Sequence, residues 1–490
     1  MDFEELSNLS ERELWTLFES TEDVEQGEVG LVLASKLNDT HEYAEAIAVA
    51  EIVVKLGERL ASNWFIAEGY FWIGISNYRL QRYDESYEAY IACVDYYFQD
   101  GLERKAAHTM ANAIDGLLQM HKYEDSYRLS MEGLVIARQI EAPVQIGRLG
   151  WQYMRACKAL GHRQEIIDIA PEVIDAWNEV DDPSEVLRVR EMYANTLQEL
   201  DRIDESLAIW KEIQKVSRVL EFHGYEINAM IEQVQIYLNQ DERTKALRTA
   251  ETALELSLNR KMLWYASKLH WILGDSDLKD QEESLYHLRE GIALIRTTSS
   301  AESWLYAELL ISKIVITQYY SEYASEFYDD CDALIAWSNK SEDRFRNRLF
   351  AEVKLLEHFV HFGEYETAES VFEIIGTILE KHDAESIALW MQISIAHAEL
   401  RLLLNNKEFE QVISKGLECL SNFSESKNSN LHVMMAYEAV GDAMNAVNDS
   451  RAVEMWNNAL ILYGHKGFEY LAKSVAKKLL DQVTVPGQLF

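Results

Sequence analysis

Proline is nearly missing from this chain, 4 residues in 490, and glycine stands at only 21. With Leu, Ala, Glu and Ile abundant instead, sheet-forming turns are scarce and long helices are favoured, which predicts an all-α protein. Cysteine is equally sparse. Cys93, Cys157, Cys331 and Cys419 lie far apart without paired spacing, so neither a disulfide framework nor a zinc ribbon is indicated, and a reducing, cytoplasmic setting is expected. Positive charge is short as well: 46 Lys and Arg face 83 Asp and Glu, a net charge of -37. Nucleic acid and anionic membrane are polyanions that need clustered cations, so neither is an expected partner, whereas basic protein surfaces are. No apolar run is long enough to cross a bilayer, and no charged stretch followed by an apolar one opens the chain, so no signal peptide is expected. The sequons at Asn8, Asn38, Asn422 and Asn448 therefore carry no weight.

Hydrophobic residues make up 48% of the chain and charged residues 26%, so there is a core to bury. Its organisation shows in self-similarity, because a fixed period of roughly 20 to 50 residues marks a repeat architecture. The period is 40. HEYAEAIAVA at 41, QRYDESYEAY at 81, HKYEDSYRLS at 121, GHRQEIIDIA at 161, DRIDESLAIW at 201 and DERTKALRTA at 241 keep one register. The spacing then drifts through KDQEESLYHL at 279, SEYASEFYDD at 321, GEYETAESVF at 363, KEFEQVISKG at 407 and NDSRAVEMWN at 448, giving eleven segments in all. Each unit predicts two helices of about 15 residues that cannot bury their apolar stripes alone and must stack on neighbours. A small residue in the second helix (Ala46, Ser86, Ser126, Ser206, Ala246) would let it approach the first, and Ile166 breaks that series, so the fourth unit must pack differently.

The segment YFWIGISNYRLQRYDESYEAYIACV, from Tyr70 to Val94, resembles a tetratricopeptide repeat. Tyr70, Ile73 and Gly74 stand at the W-x-x-L-G positions, and Ser86, Tyr90 and Cys93 at the small, aromatic and small positions of the second helix. Ala368 and Phe372, and later Ala452, Trp456 and Ala459, repeat the latter pattern. The resemblance covers roughly residues 27 to 466 and implies a right-handed superhelical α-solenoid of about eleven helix pairs, of the longer-period bacterial type. The first-helix glycine survives mainly as Gly74, the closing proline is almost absent, and 40 residues exceeds the usual period of about 34. Residues 1–26, acidic apart from Arg12 and carrying Leu6, Leu14, Leu17 and Phe18, are expected to cap one end. Residues 467–490 should cap the other, with Leu471, Val475, Leu479 and Leu480 on one face and a loose tail after Val483.

Chemistry is hard to find. Neither G-x-x-x-x-G-K-[ST] nor a strand-linked G-x-G-x-x-G occurs, which argues against phosphate transfer. His358 and His361 share a helix face beside Glu357, but both zincin motifs are missing, so they are expected in core or groove and no metal or other cofactor is expected. The S-x-x-K of Ser424 and Lys427 lacks its companion motifs, and Cys157 and Cys331 lack the context of a catalytic thiol. The tryptophans at 72, 210, 271, 304, 337 and 390 read as core filling. The chain is therefore not expected to be an enzyme.

The resemblance places first helices along a concave groove. Candidate groove residues are Phe71, Tyr78, His108, Asn112, Arg148, Trp151, Arg155, Lys158, Arg188 and Asn195, with Asp115 and Glu191 beside them. A basic and aromatic patch is predicted around residues 148 to 190, suited to an acidic side chain or a peptide C-terminal carboxylate, unless the arginines pair with acids on adjacent helices. Asn112 and Arg148 also fall where two members of the family's five-residue carboxylate clamp would lie. The expected role is a scaffold or adaptor holding a segment of another protein. The alternatives are a peptide-responsive sensor acting on a separate effector protein and an acidic decoy for basic proteins.

Overall fold

The computed structural model describes residues 3–275, 278–382, 386–423, 431–466 and 468–483. Ser424, Lys427 and the tail from 484 on lie outside the described residues. Among the described residues every regular element is helical, and the chain divides into two compact units, Met1–Asp241 and Glu242–Phe490.

The first unit holds α1 (Phe3–Ser7), α2 (Glu11–Ser20), α3 (Asp23–Asp39), α4 (Tyr43–Leu60), α5 (Asn63–Arg79), α6 (Tyr83–Gln99), α7 (Glu103–Gln119), α8 (Tyr123–Gln139), α9 (Pro143–Leu160), α10 (Arg163–Glu179), α11 (Pro183–Glu199), α12 (Ile203–Val219) and α13 (His223–Asn239). The second holds α14 (Arg243–Asn259), α15 (Leu263–Asp275), α16 (Gln281–Arg296), α17 (Trp304–Thr317), α18 (Ala324–Ser338), α19 (Phe345–Phe362), α20 (Tyr365–Leu379), α21 (Leu389–Asn405), α22 (Phe409–Asn422), α23 (Leu431–Ala446), α24 (Ala452–His465) and α25 (Glu469–Val483). In chain order α3 to α12 form five couples of a first and a second helix in the first unit, and α15 to α24 form five in the second. Helices α3 to α14 have 17 or 18 residues each rather than the expected 15, and that added length accounts for the long repeat.

The period proves to be 20, not only 40. From His41 to Lys261 a left-handed residue recurs every 20 positions: His41, Ala61, Gln81, Gly101, His121, Glu141, Gly161, Asp181, Asp201, Glu221, Asp241 and Lys261. Most of these turns close with the same hydrogen bond, in which the N–H one residue later reaches back five residues: Glu42 to Leu37 at 2.8 Å, Arg82 to Asn77 at 2.9 Å, His162 to Cys157 at 2.8 Å and Phe222 to Ser217 at 2.9 Å. That bond satisfies a carbonyl the helix end would otherwise leave open. Two of the rare prolines, Pro143 and Pro183, stand at the first turn of α9 and α11, where no N–H is needed.

Within each unit successive helices pack on one another, and first helices also touch the next first helix, as α3 does α5 and α7 does α9, or α17 does α19 and α19 does α21. Ala46, Ser86, Ser126, Ser206 and Ala246 are fully buried. Two of them also bond across their couple: the Ser86 hydroxyl donates to the carbonyl of Gly74 and that of Ser206 to the carbonyl of Ala194, both at 2.8 Å. In the fourth couple, where the buried Ile166 stands in place of the small residue, glycines of the first helix give the close approach, as Gly30 and Gly74 also do in the first and second couples. Gly147 and Gly150 of α9 lie under Trp177 and Val173 of α10, so close that an added Cβ would sit 2.4 and 2.3 Å from them.

Residues 3–20 form two short helices rather than one, and α3 begins at Asp23 rather than after 26. Leu6, Leu14 and Phe18 are buried against α3 and α4 residues. Leu471, Val475 and Leu479 pack on α23 and α24, but Leu480 is 65% exposed and does not share their face, contrary to expectation. Trp210 is fully buried, whereas Trp304 is half exposed and is not core. No described helix is long and apolar enough to cross a membrane.

Candidate functional site

The 40-residue period brings equivalent positions of successive first helices side by side, and this assembles the candidate residues on α5, α7, α9 and α11. Arg148 of α9 donates from Nη2 to Asn112 Oδ1 of α7 at 2.9 Å, and its Nη1 lies 2.8 Å from Nδ1 of His108. Phe71 of α5 packs on that imidazole with ring centroids 6.3 Å apart. Tyr78 donates to Asp115, which is ion-paired to Arg155. Arg188 lies over the Trp151 ring, 4.3 Å from its centroid, and pairs with Glu185 one turn earlier on α11.

Asn112, Asp115, Arg148, Trp151, Arg155, Trp177, Asp182, Glu185 and Arg188 line an open cavity of about 530 Å³. Asn112, Arg148, Trp151, Arg155 and Arg188 were expected at such a surface, and Phe71, Tyr78 and His108 stand behind it as supports. Lys158 is exposed and Asn195 half-buried, and neither lines the cavity. The expected basic patch is corrected here: Asp115, Asp182 and Glu185 face the three arginines, so the walls are close to neutral.

Arg148 is different from its neighbours. It is half-buried, its hydrogen-bond partners are an imidazole and an amide, and no described carboxylate lies within ion-pair distance of it. Burial is the largest influence on its guanidinium and pushes its pKa down, with Glu185 pulling the other way. Burial followed by the Arg148 charge pushes the His108 imidazole down to about 4, so at neutral pH His108 is uncharged and adds no repulsion. Two more donors in the cavity wall, Trp177 Nε1 and Arg188 Nε, are buried without a hydrogen-bond partner. An anion entering here would meet donors already desolvated and oriented.

Trp177, Glu185 and Asp182 were not foreseen. Trp177 belongs to a second helix, and the pointer to it in the sequence is Gly147, whose missing side chain leaves the ring its place. His358 lies in the core of the second unit, stacked on Phe327 at 4.5 Å and 2.5 Å from the Gln318 carbonyl through Nδ1, while His361 packs on Tyr319.

No protein family profile and no curated protein matches the chain. Among solved structures it is similar to RapI in its apo form, at 9% identity and a TM-score of 0.42, covering 87% of this chain and 99% of that one. It is similar to the apo form of the quorum sensor NprR from B. thuringiensis at 12% identity and a TM-score of 0.39, over 70% and 99% of the two chains. A third similarity is to a Signal Transduction ATPase with Numerous Domains (STAND) protein with a tetratricopeptide repeat sensor from Pyrococcus horikoshii, at 14% identity and a TM-score of 0.42. That match covers 65% of this chain and spans 53% of the length of the other.

Proposed function

We propose that the first unit is a protein-interaction module whose cavity between α7, α9 and α11 takes a carboxylate, from an acidic side chain or a free C-terminus, of an extended peptide segment of another protein. The observation that carries this reading is Arg148, a guanidinium set among neutral partners with room in front of it. A charge kept out of water is costly unless matched, and Arg offers two parallel donors to a carboxylate. Trp151, held flat under Arg188, supplies rigid apolar area for the neighbouring peptide atoms. The walls are otherwise charge-balanced, so recognition would rest on Arg148 and the unpaired donors rather than on overall attraction.

The test is a fluorescence anisotropy screen of short labelled peptides ending in a free carboxylate, each paired with its C-terminally amidated twin and with twins whose acidic side chains are made amides. Saturable binding that needs the carboxylate and disappears in Arg148→Glu supports the proposal. Binding that declines smoothly with salt and is indifferent to R148E would mean adhesion by net charge, and would refute it.

A further inference from the structure

On another face of the first unit, where α9 ends and α10 begins, the side chains of Cys157, His162 and Glu165 converge so that one ligand atom from each lies within 4.8 Å of the other two. We propose that these three residues bind a zinc ion, leaving a fourth coordination position to solvent. The spacing of the donors fits. His162 Nδ1 is 3.3 Å from Glu165 Oε1, and Cys157 Sγ is 3.9 Å from Glu165 Oε2. Those two distances run to different oxygens of the carboxylate; tetrahedral zinc with Zn–S near 2.3 Å and Zn–N or Zn–O near 2.0 Å holds its ligand atoms roughly 3.3–3.6 Å apart, so closing the site on one oxygen needs the carboxylate to turn and the side chains to draw in from within 4.8 Å.

The surroundings fit as well. Glu165 Oε2 accepts hydrogen bonds from the hydroxyls of Tyr127, at 2.7 Å, and Tyr153, the kind of outer support that fixes a ligating carboxylate. Among the described residues the one ion-pair partner of Glu165 is His162, since the nearby Arg163 is engaged by Glu199 and Arg138 by Glu172. No competing cation therefore occupies the carboxylate. Cys157 is fully buried, while His162 and Glu165 keep side-chain exposures of 43% and 38%, so the thiol is shielded and an ion still has an entry path. Tyr153 and Glu165 also border a cavity of about 340 Å³, which gives the open position room for water. A thiolate, an imidazole and a carboxylate together suit zinc better than calcium or magnesium, which take oxygen ligands alone. Binding would displace the proton of the Cys157 thiol to solvent.

The experiment uses the full chain, stripped of metal under reducing conditions and titrated with Co2+ as a spectroscopic stand-in for zinc. The expected result is one Co2+ per chain with a thiolate-to-cobalt charge-transfer band in the near ultraviolet, bleached by one equivalent of Zn2+. H162A, altered at a half-exposed side chain, and C157S should both lose the band while keeping the helical circular dichroism of the parent. Tyr127→Phe should retain it with affinity lowered about tenfold. Absence of a near-ultraviolet band in the parent protein, or its persistence in H162A, overturns the proposal.

Discussion

The fourth couple should be sensitive to added bulk on α9, and a pair of glycine-to-alanine changes in the same unit isolates the effect. At Gly147 a new Cβ would lie 2.4 Å from Cε2 of Trp177, a ring that is 7% exposed. Overpacking costs about 1–3 kcal/mol, and an overlap this deep against a buried indole belongs at the upper end. Alanine's better helix propensity returns about 1 kcal/mol, leaving a net loss of about 2 kcal/mol. At Gly116, also helical, the nearest atom to a new Cβ is the Tyr83 carbonyl oxygen at 3.8 Å, ordinary contact, so G116A should keep the whole gain of about 1 kcal/mol. For a unit of 241 residues, a Tm change of about 2–4 °C per kcal/mol gives a fall of roughly 4–8 °C for G147A and a rise of roughly 2–4 °C for G116A. Differential scanning calorimetry reads both. G147A should also weaken peptide binding, because Trp177 lines the cavity. If the two variants shift Tm in the same direction, close approach of α9 and α10 is not what sets the packing of this couple.

Trp210, fully buried among Leu187, Ile213 and Ala229, should cost about 3–5 kcal/mol when changed to alanine, read as a lowered urea midpoint of the first unit. S206A, which removes the hydroxyl bond to the Ala194 carbonyl, should cost about 1 kcal/mol in the same assay, and an unchanged midpoint would deny that bond a role. His108 has a folded-state pKa near 4 against an ordinary 6.5, so the folded chain binds fewer protons there than the unfolded chain between those values. Its contribution to stability is whole above pH 6.5 and is lost as pH falls toward 4. The drop in urea midpoint between pH 7 and pH 5 should therefore be smaller in His108→Asn than in the parent, and an equal drop would contradict the buried, neutral imidazole.

The repeat was legible because its spacing is strict. Nine of the eleven segments read from the sequence open on a left-handed residue, from His41 and Gln81 to Gly363, Lys407 and Asn448. The 20-residue half-period escaped notice because the turns between couples have no common residue type. Ala61, Glu141, Glu221 and Lys261 adopt the same backbone conformation under the direction of the helix-closing hydrogen bond, not of composition. Groove positions such as His108 and Arg148, or Asp115 and Arg155, are 40 residues apart and touch for that reason, so their neighbourhood could be read directly. Their charge balance could not, since Glu185 faces the cavity from a helical turn whose orientation depends on the stacking angle. The meeting of Cys157, His162 and Glu165 was not legible because their spacing straddles a turn: only the reversal at Gly161 brings the imidazole and carboxylate back near the thiol.

The metronomic turns carry a final implication for how this array could evolve or be engineered. A left-handed conformation costs a side-chain-bearing residue about 1–2 kcal/mol, and of the turns spaced from His41 to Lys261 only those at Gly101 and Gly161 avoid it. The scaffold thus operates below its thermal ceiling, with headroom distributed over exposed turns of which only that at Asp181 adjoins the cavity, through Asp182. Single glycine replacements at sites such as Ala61 would relax that local tension one joint at a time, letting the molecule tolerate disruptive changes in its binding surface that it could not otherwise survive.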